Sequence, residues 1–82
     1  MNAFFDKVEK ETDKAVKTHG NYSSLHEGYA ILLEEVDELW DIVRMKKKNR
    51  KLDSINEELI QIAACAYKLH LIVNSEPNRF VN

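Results

Sequence analysis

Eighty-two residues make one small domain and leave no room for a second; at this size about 60 to 65% of the unfolded chain's surface can be buried. With 44% apolar and 32% charged residues, two Gly and one Pro, the chain is neither low-complexity nor disordered, and helices should dominate. Twelve basic against fourteen acidic residues give a net charge of -2, which excludes a global attraction for nucleic-acid phosphates.

Cys65 is the single cysteine, so an intramolecular disulfide framework and a thiol-built zinc site are excluded. That usage fits a reducing cytoplasm. The N-terminus reaches Asp6 without building a signal-peptide core, and no run approaches the ~20 apolar residues of a membrane span. A soluble, unprocessed, cytoplasmic protein with no membrane partner and no specific nucleic-acid partner is expected.

Breakers cluster at residues 18–24 and around Lys48-Asn49-Arg50, dividing the chain into three helical stretches and a short tail at 75–82. The first stretch, Ala3 to Lys17, carries Phe4, Phe5, Val8, Ala15 and Val16 among many charges. It reads as a lid or brace on a larger pair. The second begins at Ser23 or Ser24, either of which can cap, and Glu27 completes a capping-box pattern with Ser24. Leu25, Tyr29, Leu32, Val36, Leu39 and Val43 then fall on one broad face of a helix predicted to run to Lys46.

The third stretch, Asp53 to Val73, is apolar on nearly every side in its middle, with Ala63, Ala64 and Ala66 permitting close approach. Three helices cannot cover such a segment all round. The expected fold class is therefore all-α: an antiparallel helical hairpin plus an N-terminal helix, assembling as a homo-oligomer, dimer or tetramer, into a multi-helix bundle. In the tail, Pro77 is a stop, and Phe80 and Val81 are the residues available for docking.

Against this pattern the acids are out of place. Glu35 has Ile31 four residues before and Leu39 four after, and Glu38 has Ile42 four after, so both sit on the shoulder of the apolar stripe. Glu58 lies in mid-stripe, between Ile55, Ile62, Cys65 and Leu69, with Gln61 one turn on. In an antiparallel hairpin Glu35, Glu38, Glu58 and Gln61 converge. Ionised carboxylates in an apolar cleft cost several kcal/mol each and repel one another. No Lys or Arg lies within either cluster, so a hard divalent cation with oxygen ligands is the natural compensation. The plainer reading is a set of solvated acids. A di-iron carboxylate site is disfavoured because none of His19, His26 or His70 has a Glu three residues before it.

The segment from His26 to Asp41, followed by Glu57 to Lys68, resembles the MazG-like all-α nucleoside triphosphate pyrophosphohydrolases, over about half of the chain. That superfamily carries Glu-Glu-x-x-Glu on one helix and Glu-x-x-Asp on the next, and the motifs fall on Glu34, Glu35 and Glu38, then Glu58 and Gln61. The resemblance implies a helical homodimer or homotetramer that hydrolyses the α-β linkage of a nucleoside triphosphate with Mg²⁺, Mn²⁺ being a possible substitute. Glu35, Glu38, Glu58 and Gln61 would hold metal, and Glu34 would position or deprotonate the attacking water. Gln61 replaces the usual Asp, leaving three negative charges where the family offers four. A catalytically weak or inactive helical module, binding nucleotide or metal or serving oligomerisation, is the alternative.

The remaining candidates have ordinary readings beside the functional ones. Lys68 could meet a terminal phosphate or be a surface lysine. The run from Arg44 to Lys51 could bind nucleic acid or triphosphate, but is first read as a helix C-terminus stabilised by its macrodipole. Trp40 reads as core or interface packing, Cys65 as a small core residue, and Asn21, His26 and Tyr29 as capping and packing residues, with lining of a base pocket as the functional alternative.

Overall fold

The computed structural model describes residues 2–20 and 22–75, and the backbone alone of His19 and Ser75. Three α-helices follow one another: α1 (Ala3–His19), α2 (Leu25–Val43) and α3 (Leu52–Ser75), with one 3-10 turn at Lys47–Asn49 between the last two. No strand occurs among the described residues. The expected all-α hairpin with an N-terminal helix is what forms.

Local chemistry sets the helix starts. Asn2 Oδ1 accepts the Phe4 N–H at 2.7 Å, and Ser24 Oγ accepts the Glu27 N–H at 3.1 Å. Glu27 answers, but one residue earlier than a standard capping box: Ser23 donates to it through its N–H at 3.1 Å and its hydroxyl at 2.7 Å. Those bonds hold the Glu27 carboxyl below its usual range.

Helix α2 ends at Val43 rather than Lys46. Its last turn tightens, the Met45 N–H donating to Ile42 O at 3.2 Å, and the lysines beyond would crowd like charges along a continued helix. The other expected bounds shift by one or two residues, Ser75 being helical. The rest of the tail, with Pro77, Phe80 and Val81, lies outside the described residues.

Helix α3 is the centre, with α1 and α2 both packed on it and making no close backbone approach to each other. Thr12 beside Ala64 makes α1 parallel to α3, Val16 and Ile72 lining the same groove further along. Gly28 beside Leu69, and Glu35 beside Glu58, make α2 antiparallel. Gly28 is buried because a Cβ there would come within 2.7 Å of Leu69 Cδ1 and 2.9 Å of Tyr22 Cδ2. The α1 contact runs through Val8, Thr12 and Ala15, not the expected Phe4, Phe5 and Val16, which remain exposed. Thr12, 1% exposed, donates to Val8 O at 2.8 Å and lies 3.5 Å from Ala64 O.

The broad apolar face of α2 divides. Leu32 and Leu39 are half-buried, whereas Leu25, Tyr29, Leu33, Val36, Trp40 and Val43 are exposed, Tyr29 by 63% and Trp40 by 60%. Trp40 is thus no core residue of the single chain. On α3, Leu52 and Leu59 are also exposed. At 100° per residue in an antiparallel pair, both exposed stripes turn to the side of the hairpin away from α1.

Candidate functional site

The space between α1 and α2, floored by α3, is a cleft of about 590 Å³. Gln61, Cys65 and Lys68, at i, i+4 and i+7, form the floor; Glu27, Ile31 and Glu35 rise on one side, and Glu11, Lys14 and Thr18 on the other. Tyr22, 4% exposed, is a further wall residue.

At the α2–α3 contact, Glu35, Glu38 and Glu58 each bring a carboxylate oxygen within 4.8 Å of the others. Glu35 and Glu58 are half-buried and Glu38 is exposed. Glu35 Oε2 and Glu58 Oε2 are shielded from solvent, and no N–H or hydroxyl among the described residues reaches either, which leaves them only neighbouring carboxyls as partners. Burial first, then a hydrogen bond to Glu35 and the charges of Glu35 and Glu38, push Glu58 up to about 8. Glu58 thus favours its protonated form at neutral pH. Two such acceptors beside a third carboxylate are oxygen groups of the type a hard divalent cation takes as ligands.

Lys68 is not a surface lysine. It is 4% exposed, with Nζ 4.3 Å from the Tyr22 ring centroid. Among the described residues it has no carboxylate within 4.0 Å and no hydrogen bond. A cation over an aromatic face keeps its charge at modest cost, and its three N–H donors remain for an anion. Burial, then Cys65, pushes Tyr22 up to about 12, so its ring stays neutral beneath the ammonium. Cys65 is half-buried on the cleft floor, its thiol raised chiefly by burial. It contributes to the cleft as well as to packing.

Gln61 lines the cleft one turn beyond Glu58. Glu34 is exposed, outside both the three-carboxylate group and the cleft wall. His26 and Tyr29 are exposed, and neither lines the cleft; Asn21 lies outside the described residues. Sequence reasoning missed the α1 wall and Tyr22. The row Glu11, Lys14 and Thr18, alongside the packing row Val8, Thr12 and Ala15, is the signal for them in the sequence, obscured because Thr12 reads as polar.

No family model matches the chain, and no curated protein or solved structure matches it significantly. The likeness to the MazG-like superfamily therefore rests on its two acidic motifs alone.

Proposed function

We propose that the protein is a Mg²⁺-dependent nucleoside triphosphate pyrophosphohydrolase of the MazG-like kind, serving nucleotide-pool housekeeping in the cytoplasm. The observation that carries this reading is the pair of shielded oxygens on Glu35 and Glu58, with Glu38 completing the group, beside a cleft that contains Lys68, which rests on the Tyr22 ring and has no carboxylate within 4.0 Å among the described residues. Negative oxygens on one wall and a buried ammonium on the floor suit a ligand that brings both a cation and phosphates.

Glu35, Glu38 and Glu58 would hold the metal, with the Gln61 carbonyl as a neutral fourth ligand. When bound, Mg²⁺ would supply charge neutralisation at the phosphates and lower the pKa of a coordinated water. Lys68 would donate to a phosphate oxygen of the triphosphate. Glu34, exposed one turn before Glu38 and outside the cleft wall, would on the family resemblance accept the proton of the attacking water. Water adds to the α-phosphorus, the α-β anhydride bond breaks, and pyrophosphate leaves with the electron pair, giving the nucleoside monophosphate.

A second copy of the chain would cover the apolar side of the hairpin formed by Tyr29, Leu33, Val36, Trp40, Leu52 and Leu59, giving a homodimer or homotetramer. The uncharged Gln61 favours one alternative, a module that binds Mg²⁺ and nucleotide with little or no turnover.

The test is a panel of ribo- and deoxyribonucleoside triphosphates incubated with Mg²⁺. Release of pyrophosphate that disappears in Glu38→Gln, with the fold retained, is expected. Orthophosphate release, or equal turnover in the variant, contradicts the proposal. Binding of a non-hydrolysable triphosphate without turnover, together with activity gained in Gln61→Asp, selects the weak module.

A further inference from the structure

The connection between α2 and α3 holds six of the chain's twelve bases within eight residues: Arg44, Lys46, Lys47, Lys48, Arg50 and Lys51. No acid lies between Asp41 and Asp53, and the other six bases are spread among fourteen acids. A helix C-terminus would have explained the run, but α2 stops at Val43 with no base in its last turn, so that account covers Arg44 at most. Residues 44–51 are all exposed.

Among the described residues, most of their charges have no ionic partner. Arg44 pairs with Asp41 at 3.2 Å, the one ion pair among the described residues. Arg50 Nε donates to Met45 O at 3.1 Å, which ties one root of the connection to the other. Lys46, Lys47, Lys48 and Lys51 have neither a carboxylate within 4.0 Å nor a side-chain hydrogen bond among the described residues. The tip is a formed 3-10 turn, Lys47–Asn49, in which the Asn49 N–H donates to Lys46 O at 2.8 Å. This is an ordered, concentrated positive charge at one end of an otherwise acidic molecule.

We propose that this hairpin is a binding site for the phosphate backbone of nucleic acid, recognised by charge and not by sequence. Four ammonium groups and a guanidinium act as point charges toward phosphates, and the run has no aromatic side chain on which a base could stack. A bilayer fits less well. The exposed apolar residues, Met45 (46%) and Leu52 (71%), sit at the roots of the connection, while the tip that would meet lipid first carries only Lys47, Lys48 and Asn49. The acidic flank of α2 repels a strand from the rest of the surface, which confines contact to this end. The inference is independent of the carboxylate group and stands or falls without it.

The test is fluorescence anisotropy of a labelled mixed-sequence 20-nucleotide single strand with the full chain, in EDTA, from 50 to 300 mM NaCl. Five phosphate contacts give a slope of log K against log salt of about -3.5, with similar affinity for a scrambled sequence. Lys47→Glu with Lys48→Glu should weaken binding at least tenfold with an unchanged circular dichroism spectrum. Lys10→Glu with Lys17→Glu on α1, an equal change of net charge, should alter it less than threefold. Absence of binding at 50 mM salt, equal losses in the two variants, or capture by vesicles containing phosphatidylserine without binding to the strand would overturn the proposal.

Discussion

Glu58 is the residue whose chemistry is furthest from ordinary, and the sign of its effect follows from its direction of shift. Raised to about 8, it holds a proton in the folded chain that the unfolded chain has already released above the normal carboxylate range. Its contribution to stability is whole at low pH and is lost as pH rises through about 8. In EDTA, the melting temperature should therefore fall by a few degrees between pH 5.5 and 8.5, and by less in Glu58→Gln, which removes a crowded charge. A divalent ion reverses the preference, because it needs Glu58 ionised, so Mg²⁺ affinity should rise over the same interval. Calorimetry at pH 6 and 8 reads this; equal affinity at both would contradict it. Lys68→Met keeps the apolar stem over Tyr22 while removing the charge, and should cost about 1 kcal/mol of stability but raise KM for the nucleotide at least tenfold. An unchanged KM would leave Lys68 a packing residue.

At the scale of elements, the two packing contacts on α3 differ in character. Against α2, the approach depends on Gly28, where a methyl group would press on the Tyr22 ring and the Leu69 side chain. Gly28→Ala gains about 1 kcal/mol of helix propensity and incurs an overpacking cost of about 1–3 kcal/mol, for a net loss near 1 kcal/mol in urea titration. Because Tyr22 also underlies Lys68, the same change should disturb phosphate affinity. The hairpin was legible in the sequence: Ser24 and Glu27 marked its start, and the acids at Glu35, Glu38 and Glu58 were found because they interrupt an apolar period. The end of α2 was not, since Lys46 has good helix propensity and only the summed repulsion of the run argues for stopping sooner. The parallel seating of α1 was also illegible, because Thr12 reads as polar until its hydroxyl is seen bonded back to Val8 O.

Across the whole molecule, two sides of one hairpin carry opposite chemistry. One side opens to the cleft and carries the carboxylates, while the other exposes Tyr29, Leu33, Val36, Trp40 and Val43 along α2, at i, i+4, i+7, i+11 and i+14. That stripe has the spacing of a helix-packing seam. Sequence reading expected a face needing cover, but located it on α3, where apolar residues surround the helix; exposure shifts much of it to α2. Sedimentation equilibrium should show association that Val36→Glu abolishes while the helical content of the chain is kept. A monomer at high micromolar concentration would contradict the proposed assembly.

The proposed chemistry requires acidic oxygens from α2 and α3 to share a divalent ion. Isothermal titration of the full chain with Mn²⁺ and Mg²⁺ tests it most directly, with Glu35→Gln, Glu38→Gln and Glu58→Gln alongside. Saturable binding in the native chain, accompanied by release of about one proton near pH 7 and lost in each variant, is expected. No saturable binding, or binding that survives all three substitutions, would contradict it.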